Sequence, residues 1–335
     1  MPVSRRTFVA AAPAILTAGS LAPSLAQASS TAPAQAPASA AGAASAAQQA
    51  PGYYRYKVGD IELTALHDGW GPRNLEGFIR NADLSEVRKA AEEAFLPTNT
   101  IQNSFTPVLV RSGGKTIMLD TGNGDAGAPT TGTTRANMRA AGFDPAQVDI
   151  VVISHFHGDH INGLRLRDGT AVYPNAEVMV PAGEWAFWMD DARMNQAPDA
   201  MKPAFQNVRR VFGPMAKDVK QFEWNKEVAP GITAVDAAGH SPAHTAFVIQ
   251  SGGKSLTHVV DAINHPAFFV RHPDWSAVFD MDADKARATR RRLLDMAATE
   301  RMQLAFYHAP FPATGHVRKE GNGFAFVPSP WSPVL

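Results

Sequence analysis

The sequence predicts an α/β fold made of two similar halves. Short β-rich runs alternate with helical patterns along most of the chain, and one strand–turn–strand unit occurs twice. Four of the predicted strands also deliver a candidate metal ligand at or just beyond their C-terminal ends. In layered α/β proteins that sheet edge is where sites gather.

The chain opens differently. Ser4-Arg5-Arg6-Thr7-Phe8 is a twin-arginine start, and a weakly apolar run from Val9 to Leu25 leads to the small-residue triplet Ala26-Gln27-Ala28. Residues 1–28 therefore read as a twin-arginine export signal, which implies a periplasmic or secreted protein. Pro13, Gly19 and Pro23 interrupt the run too often for a membrane span, so no anchor is expected after cleavage. Residues 29–52 hold only Ala, Ser, Thr, Pro, Gln and Gly. Such a stretch cannot bury enough apolar surface to offset its ordering entropy and reads as a linker. The folded domain is expected over residues 53–335.

Within that domain the first clear strand is Ile61–Leu66, and a helix from Leu84 to Phe95 follows with Asp83 as its N-cap. "PVLVRSGGKTIMLD" then reads as a hairpin ending at Asp120, and "AFVIQSGGKSLTHVVD" repeats it, ending at Asp261. The repeat in both halves points to a pseudo-duplication. Between and after these units lie predicted strands at Asp149–Ile153, Val178–Val180, Ile232–Val235 and Leu304–Tyr307. Helical patterns cover Gly183–Met189, residues 200–211 and Ala283–Thr299. "GNGDAG" at 122–127 matches a dinucleotide fingerprint, but Pro129 and a Thr/Gly run replace the helix that fingerprint requires. "GGKT" and "GGKS" lack the first glycine of a phosphate loop.

Composition narrows the chemistry. Thirty-one basic residues balance thirty-one acidic ones, which gives no basic surface for a nucleic acid. There is no cysteine, so a disulfide framework, a thiolate metal site and a Cys nucleophile are excluded. No G-x-S-x-G supplies a nucleophilic serine. A transition metal would have to bind through imidazole and carboxylate.

"HFHGDH" at residues 155–160 offers that ligand set in one loop after a strand. His155 and His157, two apart in extended backbone, point the same way and suit one ion. Asp159 and His160 diverge and can reach a second. Further along, His240 follows "GITAVDAAG", Asp261 ends the second hairpin, and His308 ends "QLAFY".

With these residues the chain resembles the metallo-β-lactamase superfamily. The resemblance rests on an ordered series: "LDTG" at 119–122, "HFHGDH", "GHSPAH" at 239–244, the strand end at Asp261 and the late His308. It implies an α/β fold of the four-layer αβ/βα sandwich type, in two pseudo-duplicated halves. It implies His155, His157 and His240 on a first metal, Asp159, His160 and His308 on a second, and Asp261 bridging both. Asp120 would shape the ligand loops, and His244 would orient a ligand from behind. The implied cofactor is a pair of divalent ions, zinc first, with Mn, Co or Fe accepted by the same ligands.

"GEWAFW" at 183–188 and "FPATGH" at 311–316 resemble the methyl parathion hydrolase-like branch and exported lactonases. Acyl-homoserine lactonases often carry Tyr three residues after the bridging Asp, where this chain has Asn264. The β-lactam-cleaving branch usually lacks an equivalent of His308, and flavin-linked di-iron relatives replace the residue at His157 by Glu.

The implied reaction is hydrolysis of a lactone, aryl ester or organophosphate triester by a hydroxide shared between two ions. The resemblance implies Asp159 and Asp261 as the catalytic carboxylates. Trp185, Trp188, Phe205 and Asn264 are expected on a pocket for a small, neutral, lipophilic substrate, with Phe95, Phe105 and Phe187 nearby. Hydrophobic helices after Gly183 are compatible with a homodimer. A mono-iron dioxygenase of the same superfamily and a non-catalytic metal or ligand binder are the alternatives.

Overall fold

The computed structural model describes residues 49–335. The export signal and residues 29–48 of the linker lie outside the described residues. Two seven-stranded sheets dominate. The first contains β1 (Tyr53–Val58), β2 (Ile61–Leu66), β5 (Val108–Ser112), β6 (Lys115–Leu119), β7 (Ile150–Val152), β8 (Glu177–Pro181) and β9 (Lys220–Phe222), in that spatial order. The second contains β10 (Glu227–Ala229), β11 (Ile232–Asp236), β12 (Thr245–Ser251), β13 (Lys254–Val260), β14 (Gln303–Phe306), β15 (Thr314–Glu320) and β16 (Gly323–Pro328). A separate ribbon pairs β3 (Gly69–Asn74) with β4 (Thr100–Phe105).

The duplication is visible in strand pairing. In one half β2, β5 and β6 run antiparallel and β6 pairs parallel to β7; in the other, β11, β12 and β13 run antiparallel and β13 pairs parallel to β14. Both hairpins turn on a Gly-Gly pair. Gly113 and Gly114 have φ of 56° and 74°, and Gly252 and Gly253 have 55° and 74°. Two successive positive φ values define the hairpin turn whose twist matches its strands, and glycine adopts them without a Cβ clash.

Three apolar clusters fill the four layers. Leu63, Val110, Ile117, Ile232, Phe247 and Ile249 pack between the sheets. Helices α2 (Thr134–Ala140) and α6 (Lys202–Phe212) cover the outer face of the first sheet through Met138, Phe205 and Val208, with the short α3 (Gly158–Ile161), α4 (Ala182–Trp188) and α5 (Asp191–Gln196) between them in the chain. Helices α1 (Leu84–Glu93), α7 (Pro266–Phe269) and α8 (Ala283–Glu300) cover the second through Val87, Phe268 and Leu293. This is the αβ/βα sandwich. Asp83 occupies the N-cap position of α1, but its side chain makes no capping hydrogen bond. No helix among the described residues is long and apolar enough to cross a membrane.

Candidate metal centre

Strand direction assembles the site. β6 and β7 run parallel in one sheet, and β11, β13 and β14 run parallel in the other, so their C-terminal ends share an edge within each sheet. From these ends come Asp120, the 155–160 loop, His240, Asp261 and His308. Asp120 and Val260 adopt left-handed backbone, at φ of 56° and 50°. That conformation is costly for a non-glycine residue, above all β-branched Val260, and tends to occur where a fold holds a functional group.

Seven sequence-predicted ligands converge into two groups around one carboxylate. His155 Nε2 and His240 Nε2 lie 3.0 and 2.9 Å from His157 Nδ1. Asp159 Oδ2 lies 3.5 Å from His160 Nε2 and 3.6 Å from His308 Nε2. Asp261 faces both groups: Oδ2 is 3.3 Å from His240 Nε2 and 3.0 Å from His308 Nε2, while Oδ1 is 3.3 Å from His160 Nε2. His155–His157–His240 and Asp159–His160–His308 each offer donor atoms within 4.8 Å of one another.

The opposite ring nitrogens are tied down. His160 Nδ1–H donates to Asp120 Oδ2 at 2.9 Å. His155 Nδ1 lies 3.0 Å from Ser154 Oγ, which donates to the same Asp120 oxygen at 2.7 Å. His240 Nδ1–H meets Asp280 Oδ1 at 3.1 Å, and His308 Nδ1–H donates to the Ser104 carbonyl at 2.9 Å. A proton fixed on Nδ1 leaves a lone pair on Nε2. Four such lone pairs therefore face each other, His157 Nδ1 and two carboxylates in a buried space. His160 Nε2 and Asp261 Oδ1 are both buried without a hydrogen-bond partner. Acceptors pressed together in this way fit cations between them.

The electrostatics agree. Burial pushes the His160 imidazolium down in pKa, but Asp159, Asp261 and Asp120 outweigh it and raise the ring well above its ordinary value. A field that draws a proton to His160 also draws a metal ion. Burial and neighbouring imidazoles hold His155 well below its ordinary value; burial, then His240, lowers His157 to about 3. Both rings are thus neutral, the form that ligates. Burial alone would raise Asp261, yet His308 and His160 hold it well below the usual carboxylate range.

His244 accepts the Asp261 backbone N–H on Nε2 at 3.1 Å, fixing the residue that joins the two groups. Three supporting residues were not among the sequence candidates. Asp280 orients His240 and pairs with Arg290 at 3.3 Å, both almost wholly buried. Arg290, on α8, also donates to the Ala262 and Pro273 carbonyls. Glu184, on α4 (Ala182–Trp188), is fully buried and accepts from Phe156 N at 3.2 Å, Trp188 Nε1 at 2.9 Å, Ser241 Oγ at 2.6 Å and Ala243 N at 2.7 Å. One carboxylate thereby joins the 155–160 loop to the loop carrying His240.

A cavity of about 380 Å³ opens over the centre, lined in part by Arg73, Asn103, Phe105, Asn123, Asn264 and Phe279. Asn264 takes the expected place. Trp185, Trp188 and Phe205 do not line the cavity. Trp188 and Phe205 are 2% and 1% exposed in the core behind the ligand loop, and half-buried Trp185 packs against Phe156 and Phe212. Their large apolar surfaces are used in holding α4 and α6 to the sheet. Phe95 is 97% exposed, and Phe105 alone of the expected aromatics reaches the cavity. The wall is therefore mixed in polarity rather than lipophilic.

Residues 106–308 match the metallo-beta-lactamase superfamily, and the chain belongs to that family. Among curated protein sequences no match was found. Among solved structures the chain is similar to AidC, a dizinc quorum-quenching lactonase, with 26% identity and a TM-score of 0.79 over 84% of this chain and 98% of that one. It is similar to AbOPH, a hydrolase in the beta-lactamase superfamily, with 26% identity and a TM-score of 0.80 over 85% of this chain and 100% of that one. It shares its fold with a probable metal-dependent hydrolase from Staphylococcus aureus, with 21% identity and a TM-score of 0.68 over 84% of this chain and 100% of that one.

Proposed function

We propose that the protein is a dinuclear metal-dependent hydrolase acting on a lactone, aryl ester or organophosphate triester. The observation that carries this is Asp261, whose carboxylate faces a three-histidine group on one side and an Asp–His–His group on the other. Likeness to a dizinc lactonase supports zinc and a lactone or ester, and "GEWAFW" and "FPATGH" support the methyl parathion hydrolase-like and exported lactonase branch.

When bound, two divalent ions supply Lewis acidity to the electrophilic oxygen and to the attacking water. The chain supplies the rest. Asp261 sets the separation of the two groups. Asp120 and Asp280 hold His160, His155 and His240 in the ligating tautomer. Asp159, whose side chain is 24% exposed, is the carboxylate of the centre that reaches solvent and is placed to pass on the proton released by water. Burial raises its pKa, while His160 and His308 bring it down to about 2, so it stays ionised at neutral pH.

We also propose export as a folded protein with residues 1–28 removed, supported by the twin-arginine start. N-terminal sequencing of the mature protein tests this.

The activity is tested on protein lacking residues 1–52. Initial rates on a lactone, an aryl ester, a β-lactam and a phosphotriester are measured before chelation, after it, and after reloading with one metal at a time. Chelator-sensitive turnover that returns with metal supports the hydrolase, and the rate order names the substrate class. Two bound ions with no turnover on any of the four would contradict it.

A further inference from the structure

One charged group on the cavity wall has no place in the reading above. Arg73 lies near the C-terminal end of β3 and lines the same cavity as His157, Asp159 and His308. Its guanidinium carbon sits 4.5 Å over the Phe279 ring, and its Nε is buried without a hydrogen-bond partner. Asp159 acts on its charge, but without a hydrogen bond between them. An arginine stays charged in a protein, and its planar fork suits two oxygens of one acid group.

The surroundings favour an anion. Asn103, Asn123 and Asn264, which share the wall with Arg73, are neutral, and their amide groups carry N–H donors that an anion can accept from. Two divalent ions would bring more positive charge than Asp159 and Asp261 offset, and Arg73 adds to the excess. A cleft of one sign concentrates ligands of the other. Stacking on Phe279 restricts the guanidinium, so little orientational freedom is lost when it takes a ligand.

We propose that Arg73 is a specificity residue that receives a carboxylate carried by the substrate, so that the preferred substrates are esters or lactones bearing a free acid group. The proposal rests on the hydrolase reading for turnover but not for binding. It replaces the neutral, lipophilic substrate expected from the sequence, because the aromatics that suggested one are used in core packing.

The test uses metal-loaded enzyme. The ratio of kcat/KM for mono-4-nitrophenyl succinate over 4-nitrophenyl butyrate, corrected for uncatalysed hydrolysis, is measured in wild type, Arg73→Gln and Arg73→Lys. A charged hydrogen bond predicts that Arg73→Gln lowers this ratio about tenfold or more, through KM, and that Arg73→Lys recovers part of it. In parallel, calorimetry compares succinate with butyrate. Wild type should prefer succinate, and Arg73→Gln should lose that preference. Ratios unchanged by Arg73→Gln in both measurements would overturn the proposal. If wild type hydrolyses neither ester, the aryl-ester part of the hydrolase reading fails, and the calorimetric ratio alone decides whether Arg73 binds the carboxylate.

Discussion

At the scale of single residues, the centre is built from lone pairs that have nowhere else to go. His240 shows how. Its Nδ1 proton is held by Asp280, and Asp280 is held by Arg290. Asp280→Asn should lower affinity for the ion at His155, His157 and His240 by roughly 10–100-fold, as removal of a carboxylate behind a ligating histidine generally does. Competition with a chelator measures this, and unchanged affinity would show that Asp280 has no part in the site. Glu184 makes a different prediction. Glu184→Ala strands Phe156 N, Trp188 Nε1, Ser241 Oγ and Ala243 N, so it should cost about 3–5 kcal/mol even in metal-free protein. Urea unfolding of the chelated variant checks it, and a loss below about 1 kcal/mol would mean that the loops are held elsewhere. The sequence made the ligands legible because HFHGDH concentrates four of the seven within six residues of one loop, and His240, Asp261 and His308 each fall at or just beyond the end of a predicted strand. Of their supports it showed Asp120 and His244, through the family motifs, but not Asp280, Arg290 or Glu184. His240 and Asp280 are 40 positions apart and Glu184 and Ser241 are 57 apart, and neither Asp280 nor Arg290 belongs to a motif.

At the scale of elements, helix α8 and the His240 loop are in close backbone contact at Gly239. Gly239 has a φ of 131°, and a Cβ there would fall 2.3 Å from the Ala286 backbone nitrogen. Gly239→Ala must therefore displace the helix or the loop. The expected outcome is destabilisation of at least about 2 kcal/mol together with weaker binding of the His240 ion. Unfolding and metal titration of the variant read the two effects separately, and retention of both would deny the contact a role. Elements were the most legible level in the sequence. Ile61–Leu66 is a strand over the predicted span, and α1, α4, α6 and α8 begin within two residues of their predicted starts, the usual uncertainty of helix ends. The hairpins were legible because Gly-Gly admits the turn they use. The aromatic residues misled because burial in a core and exposure on a pocket ask for the same side chains, and one sequence does not separate them.

At the scale of the whole molecule, two sheets place ligands from distant parts of the chain at one edge, so metal binding and folding are coupled. Ions at about 1,000 times their dissociation constant should stabilise the fold by about 4 kcal/mol. A chelator should lower the unfolding midpoint accordingly, and identical midpoints with and without metal would contradict the coupling. Acid weakens the fold through a second route. His265 is buried and caps α7, and burial lowers its pKa to about 4. The folded ring is then neutral between pH 4 and 6.5 while the unfolded ring takes a proton, so stability falls as pH drops through that window and the loss is complete near pH 4. The loss is about 3 kcal/mol at most. His265→Asn, which keeps a capping side chain but does not titrate, should flatten that part of the curve in chelated protein. An unchanged pH slope would remove His265 as its cause.

The central claim is that Asp261 joins two metal-binding groups into one centre. It is tested most directly by counting ions per chain, by mass spectrometry of metal-titrated protein, in wild type and Asp261→Asn. The account predicts two ions in wild type and, in the variant, loss of at least one ion with hydrolysis lost as well. One ion or none in wild type, or two ions held with unchanged affinity in Asp261→Asn, would contradict it.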